Sequence, residues 1–336
     1  MIISSVCASS VCKQAQPLIN LEKGLTNMES LFSHRRKDKV VVILGATGTG
    51  KTKLAIDLAH HFPPAEIVNS DKMQVYKGLD ITTNKVTEEE CRGVPHHLLG
   101  MVDPDSNFTS NDFCRHATLA IGSIVGRDGL PIIAGGSNSY IDALVNHHTD
   151  FRLNYECCFL WVDVSLPVLH SSLNARVDRM IEAGQVNEVR EFFDPYADYT
   201  KGIRKAIGVP EFDDFLRAEV LGADERTKKK LLEVAIAKIK VNNCTLANRQ
   251  VQKIQRLFAS WKRNTCRLDA TEVFLKRRSE EVWEEYVLAK SIRAVHKFLY
   301  EEKKHVSAGI KMPKDVIKVA TASPVTLAAV AATVAH

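Results

Sequence analysis

Val40-Val41-Val42-Ile43-Leu44-Gly45-Ala46-Thr47-Gly48-Thr49-Gly50-Lys51-Thr52 is the stretch whose reading decides the fold. Its first five residues are apolar and mostly β-branched, a short run suited to a fully buried parallel strand. A G-x-x-x-x-G-K-T sequence follows, and then Lys53 to Ala59, with apolar residues at 54, 55, 58 and 59 in helical spacing. Strand, glycine loop and helix in that order make the setting of a phosphate-binding loop. Across Gly45, Ala46, Thr47, Gly48, Thr49 and Gly50 the backbone can turn tightly and aim N–H groups at an anion, with the positive end of the helix dipole behind them. Lys51 is expected against phosphate oxygens, facing solvent when the loop is empty, and the Thr52 hydroxyl is expected to hold Mg²⁺. The loop predicts a di- or triphosphate ligand.

Outward from the loop, Ala65 to Asp71 reads as a second strand ending in polar residues. In an open α/β sheet the carboxyl ends of the strands face the ligand crevice, so Asp71 is expected beside the loop. Residues 72–80 continue as a short helix or turn, Gly93 to Leu99 as a loop into a further strand, and Asn111 to Ile124 as a helix. Leu130 to Ala134 is a buried strand that breaks at Gly135-Gly136 into Ser137, Asn138 and Tyr140, and residues 155–164 form another. Strands alternating with helices predict a parallel sheet covered on both faces. From Pro167 onward the pattern is helical: 168–184, 185–193, a long basic stretch over 224–265, and a last segment over about 277–303. The expected divisions are 1–38 as a disordered segment compatible with an organelle transit peptide, with the plastid the expected location and the cytoplasm the alternative, 39–185 as the α/β core, 186–305 as a helical domain with helices returning to the core, and 306–336 as a disordered tail.

Composition narrows the class. The 336 residues are 45% hydrophobic and 25% charged, which suits a globular protein, and the net charge of +5 suits small anions without requiring nucleic acid. The eight cysteines show no C-x-x-C and no Cys/His quartet at zinc spacing, and read as reduced thiols. No apolar run approaches a membrane span.

Taken together, Gly45 to Thr52, Asn69-Ser-Asp-Lys-Met-Gln-Val-Tyr76, Gly93-Val-Pro-His-His-Leu-Leu99, Gly135-Gly-Ser-Asn-Ser-Tyr140 and Arg176-Val-Asp-Arg-Met-Ile-Glu-Ala-Gly184 resemble the isopentenyltransferases. The order and spacing are similar to those of the plant adenylate isopentenyltransferases that begin cytokinin synthesis, as is Tyr199-Thr-Lys-Gly-Ile-Arg-Lys-Ala-Ile-Gly208. The resemblance covers roughly residues 39–300. It implies a P-loop nucleotide-kinase-like parallel sheet core with a smaller helical domain, and substrates meeting in a channel between them. It also implies transfer of a dimethylallyl group from dimethylallyl diphosphate to N6 of the adenine in AMP, ADP or ATP. The related enzymes acting on tRNA share the loop and the aspartate. Bacterial members carry a large insert after the Gly-Gly motif, whereas here only residues 141–154 precede the next strand. Eukaryotic members typically add a zinc-finger module, and this chain has no such spacing near its C-terminus. A free nucleotide is therefore the expected acceptor, tRNA the alternative, and a monomer without membrane attachment the expected form. A small-molecule kinase built on the same loop is a third reading.

Candidate residues follow. By position alone Asp71 is equally a general base, a residue holding Mg²⁺ through water, or a helix cap; the resemblance implies the base that takes the N6 proton. Lys51, the loop N–H groups and Mg²⁺ are placed to stabilise the departing diphosphate, with Thr47 hydrogen-bonding it. Arg176 matches the family's arginine in the R-V-x-x-M block and is expected to clamp the diphosphate, or else to be a surface helix charge. Ser137, Asn138 and Tyr140 are expected to read the adenine or the donor, or to be satisfied helix-start groups. Lys201, Arg204 and Lys205 are expected either at the acceptor's phosphates or on a solvated helix face. Asp163 has the placement of a Walker B aspartate, and His96 and His97 are expected to pack or cap a loop.

Overall fold

A computed structural model describes residues 37–261, 264–276 and 279–301. The expected N-terminal and C-terminal disordered segments lie outside these residues, except for positions 37 and 38. The chain divides into a unit reaching Tyr300 and a second from Glu301, of which only Glu301 is described.

Strands β1 (Asp38–Leu44), β2 (Ala65–Asn69), β3 (His96–His97), β4 (Leu130–Ala134), β5 (Tyr155–Asp163) and β6 (Thr265–Asp269) form one sheet in the order β3-β2-β4-β1-β5-β6. Every pairing is parallel. Residues 40–44 of β1 are fully buried, as its unbroken apolar run requires for a central strand covered on both faces. Two apolar clusters cover the sheet. One holds Val41 and Ile43 with helix α1 (Lys51–His61); the other holds Val40, Val42 and Leu44 with α2 (Ser110–Val125). Alternation along β1 sends successive side chains to opposite faces and so separates the two clusters.

Because β1 lies between β4 and β5 while β2 lies beyond β4, the loops after β1, β4 and β2 open side by side at one edge of the sheet. The loop after β4 leads into a short helix α3 (Asn138–Asp142). Beyond β5 come α4 (Leu166–Glu182), α5 (Gln185–Glu191) and the 36-residue α6 (Glu225–Ser260). At 1.5 Å per residue α6 is about 54 Å long. Its first half contributes Ala235 and Ile239 to a third apolar cluster with Val177, Ile203 and Phe212, while Ala247 and Val251 join the sheet core. The same helix thus reaches from the helical region into the edge of the sheet.

Three elements differ from expectation. The strand after Gly93 is only His96–His97. The basic helix ends at Ser260, and Thr265–Asp269 adds an edge strand beside β5. The last segment is not one regular helix. A turn at Glu280–Trp283 passes through a π-helical stretch, Glu284–Leu288, into α7 (Ala289–Tyr300). Trp283, Val287, Ser291 and Val295 are all buried at a strict spacing of four. A 3.6-residue helix would rotate that series off one face, and the wider π turn holds it in register.

Candidate active site

The phosphate loop is closed on itself. Thr49 Oγ1 donates to the Ala46 carbonyl at 3.0 Å, and Lys51 Nζ donates to the same oxygen at 2.7 Å. Lys51 is buried, not solvent-facing as its sequence position suggested, because its stem packs under the loop it will serve. Burial lowers its pKa from 10.5 to about 8; the nearby Asp71 carboxylate acts in the opposite direction and the Arg176 guanidinium in the same one. Lys51, Asp71 and Arg176, from three separate segments, therefore share one electrostatic neighbourhood. The Thr52 hydroxyl belongs to an exposed residue in the first turn of α1.

Gly50 has φ +95°, a left-handed conformation that a side chain rarely adopts, and a Cβ there would lie 3.0 Å from the Trp283 ring. Trp283 also donates from Nε1 to Asp57 Oδ2 at 2.9 Å, so the C-terminal segment fastens both the loop and the helix behind it. On the other side α4 delivers two residues. Leu173 packs where a Gly48 side chain would be, and Arg176 Nη2 donates to Thr47 Oγ1 at 3.1 Å.

Asp71 stands just beyond β2. Its N–H donates to Asn69 Oδ1 at 3.2 Å, and its own Oδ1 accepts from the Met73 N–H at 3.0 Å. The second carboxylate oxygen faces Gly136: a Cβ on Gly136 would lie 3.1 Å from Asp71 Oδ2 and 2.8 Å from Gln250 Nε2. Only a residue without a side chain allows both groups to converge there. Ser70 and the glycine pair run past one another, with Ser70 N–H donating to Ala134 O at 2.9 Å and Ser137 N–H to Ser70 O at 3.1 Å.

Ser137, Asn138 and Tyr140 are drawn into the protein. Ser137 Oγ accepts from the Lys72 N–H at 2.8 Å, and Asn138 Nδ2 donates to the Gln250 carbonyl at 3.2 Å. Tyr140 stacks on Phe113 at 4.7 Å and donates from its hydroxyl to Phe108 O at 3.0 Å. Burial, reinforced by Tyr76 and Asp71, holds its pKa well above the ordinary tyrosine value. Tyr140 also lines a cavity of about 170 Å³ with Tyr76, Phe108, Lys72 and Lys205.

The three cations of the 201–205 segment are not gathered at one point. Lys201 pairs with Asp198 at 3.3 Å on the surface. Arg204 pairs with Asp105 at 3.0 Å and lies 4.3 Å over the Phe192 ring. Lys205 alone reaches the cavity. Asp163, at the end of β5, accepts from Arg267 Nε at 2.8 Å on the far side of β1 from Asp71. His96 Nδ1 bonds the Val94 carbonyl at 2.8 Å and His97 Nε2 bonds Glu66 Oε2 at 2.6 Å, as loop-packing groups do.

Two residues at the site were given no role by the sequence: Lys72, within the Asn69–Tyr76 block, on the cavity rim, and Gln250 on α6, outside every quoted motif. The signal for Gln250 was present, since residues 247, 250, 251 and 254 form one helical face whose other members, Ala247, Val251 and Ile254, are buried and apolar.

The sequence model described as IPP transferase matches residues 74–153 and 146–256, more than half of the chain. The chain belongs to the IPP transferase family. Within it, the chain is 59% identical over 314 residues to adenylate isopentenyltransferase 5, chloroplastic, of Arabidopsis thaliana, covering 92% of this chain and 94% of that relative. It is 54% identical over 294 residues to adenylate isopentenyltransferase 7, mitochondrial, of the same plant, covering 86% and 89%. Among solved structures, a eukaryotic dimethylallyltransferase acting on tRNA superposes with a TM-score of 0.67 at 26% identity, covering 78% of this chain and 79% of that one. The IPP transferase match spans Tyr76, the Gly135-Gly136 loop and Arg176, and ends beyond Gln250. No helix among the described residues is long and apolar enough to cross a membrane.

Proposed function

We propose that this IPP transferase moves the dimethylallyl group of dimethylallyl diphosphate onto N6 of the adenine in AMP, ADP or ATP, releasing diphosphate in the first step of cytokinin biosynthesis. The observation that carries the reading is the meeting of two chemistries at Gly136. The Asp71 carboxylate arrives from β2, and a phosphate cradle from β1 is joined to the same spot through Gln250.

The donor's diphosphate seats on the loop, in contact with Thr47, Gly48, Thr49, Gly50, Lys51 and Thr52. Its arrival turns Lys51 Nζ from the Ala46 carbonyl toward phosphate oxygens, and Arg176, already on Thr47, closes from above. The acceptor's adenine enters beside Tyr76 and Tyr140, with its phosphates toward Lys72 and Lys205. The N6 lone pair forms a bond to C1 of the allyl group while the C1–oxygen bond breaks and its electron pair leaves with diphosphate. Asp71 takes the proton from N6, which keeps positive charge from accumulating on the nitrogen. Lys51, Arg176 and the loop N–H groups stabilise negative charge on the departing oxygens. Among the described residues no three His, Cys, Asp or Glu side chains converge to hold a metal ion. The exposed Thr52 hydroxyl, in the first turn of α1, would hold a Mg²⁺ ion, which would supply further charge neutralisation to the leaving group.

The chloroplastic name of a close relative supports a plastid location. The likeness to a tRNA-acting dimethylallyltransferase supports a second reading in which the acceptor is an adenosine of tRNA. One assay separates these. The protein is incubated with dimethylallyl diphosphate and, in parallel, AMP, ADP, ATP and unmodified tRNA, and products are read by mass spectrometry. Prenylated mononucleotide with free diphosphate is expected. Prenylation of tRNA alone would move the acceptor, and transfer of a γ-phosphoryl group would replace the reaction by a kinase's.

A further inference from the structure

Gln250 makes hydrogen bonds to two catalytic loops and, through its backbone, to a third element. Its Oε1 accepts from the Thr47 N–H of the phosphate loop at 2.7 Å. Its Nε2 donates to the carbonyl of Gly136, the glycine that faces Asp71, at 2.8 Å. Its backbone carbonyl accepts from Asn138 Nδ2 at 3.2 Å, which anchors this turn of α6 to the start of α3. The amide thus has one end on the donor's cradle and the other on the loop after β4 that faces the base.

We infer that Gln250 is a positioning residue for prenyl transfer, setting the distance between the donor's diphosphate seat and Asp71. The inference rests on the function proposed above. Three features support it. First, no backbone hydrogen bond joins residues 45–50 directly to residues 135–137; β1 and β4 pair through Ile43 and Ala134, and the ladder stops before either loop begins. The amide bridges the gap the ladder leaves. Second, Gln250 comes from a helix anchored in three apolar clusters, at Ile239 in one, at Ala247 and Val251 in the next and at Ile254 in the last. The amide is therefore presented by a rigid element. Third, Gly136 leaves room for both Asp71 Oδ2 and Gln250 Nε2 at the same point, so displacing one disturbs the other.

Placement at this level affects rate more than binding. A misplacement of about 1 Å between reacting groups costs on the order of 100-fold. Gln250 bonds the cradle from outside and leaves Lys51, Arg176 and the remaining loop N–H groups to hold the donor. Gln250→Met keeps the length and removes both hydrogen bonds. Gln250→Glu keeps the acceptor for Thr47 but sets an oxygen against the Gly136 carbonyl.

The experiment measures kcat with dimethylallyl diphosphate and each of AMP, ADP and ATP at saturation, the dissociation constant of a non-transferable thiolo analogue of the donor, and the thermal midpoint, for wild type and both variants. Rates are normalised to analogue-binding sites so that misfolded protein does not count. Gln250→Met is expected to lower kcat by roughly 10- to 100-fold while the analogue's dissociation constant changes by less than about 3-fold. Gln250→Glu is expected to fall between it and wild type. A normalised kcat within about 2-fold of wild type for Gln250→Met would overturn the inference. So would a loss confined to analogue binding, which would make Gln250 a donor-binding residue. If Gln250→Met yields no folded protein, the Glu variant decides: wild-type kcat overturns the inference and a depressed kcat with intact analogue binding upholds it. A wild type that forms no prenylated nucleotide overturns the proposed function and this inference together; a working wild type with an equally fast Gln250→Met overturns the inference alone.

Discussion

The phosphate loop and the segment 201–205 each offer cations to the site, in opposite environments. Lys51 is buried under its own loop, bonded to a backbone carbonyl, and held down to about pKa 8 by desolvation. An ammonium kept out of water with no carboxylate in hydrogen-bond contact gains strongly from an incoming diphosphate. Lys201 and Arg204 already have acidic partners, Asp198 and Asp105. A phosphate approaching them must compete with those carboxylates, and the exposed Lys201–Asp198 pair is itself worth only about 0–1 kcal/mol. The difference teaches that a basic run and a buried lysine are unequal as anion sites even when both match a family motif. The partners decide, and they are invisible along the chain.

The largest effect is expected from the group that gives the cradle its chemistry. Asp71→Asn preserves shape but cannot accept the N6 proton, so kcat should fall by about 10²–10⁴ with little change in donor affinity. Recovery of kcat at saturating magnesium and donor would instead assign Asp71 to metal or structure, and would leave the buried lysine without a base beside it.

Lys51 sharpens the comparison through pH. Lys51→Ala removes a charge-assisted contact of about 1.5–3 kcal/mol, and donor affinity should drop by roughly 10- to 150-fold. In the wild type the lysine must be charged to bind, so donor affinity should be fully developed below pH 8 and decline as pH rises through the free enzyme's value of about 8. Calorimetry across pH 7–10 should show that limb, with proton uptake on binding, and should show neither in Lys51→Ala. Because Asp71 supports the charged lysine, Asp71→Asn should move the limb to lower pH. An unmoved limb would mean that the two groups do not sense each other.

The smallest effects separate the cations of the basic segment. Lys205→Ala should raise KM several-fold, more for ATP than for AMP, and the ATP preference should weaken with salt. Lys201→Ala should leave all three nucleotides unchanged. Arg204→Ala should act on stability, since the side chain packs on Phe192 and pairs with Asp105. Equal KM changes for Lys201 and Lys205 would erase the distinction drawn between them.

How far the sequence was legible follows the same division. β1, the loop and α1 could be read because one run combines a buried strand, fixed glycines and helical spacing, each with a local cause. The pairing of β2 with β4 placed Asp71 at the same edge, as the carboxyl-end rule anticipates. β6 escaped because Thr265-Cys-Arg-Leu-Asp269 is an edge strand with one buried residue, Leu268, and followed a basic helix without a clear break. Gln250 escaped because its significance lies in two backbone groups from distant segments, Thr47 N–H and Gly136 O. Trp283 escaped for a related reason: its contact with Gly50 depends on a π turn that no simple period announces.

The most direct measurement follows the new bond itself. AMP, ADP and ATP, each carrying ¹⁵N at N6, are incubated in parallel with dimethylallyl diphosphate and the enzyme, and the products are examined by long-range ¹H–¹⁵N correlation. Formation of the bond at N6, with Asp71 taking the proton, predicts a cross-peak from the allylic methylene protons to the labelled nitrogen and one equivalent of diphosphate. A product whose methylene correlates with a ring nitrogen, or recovery of all three labelled nucleotides without a prenyl group, would contradict the account.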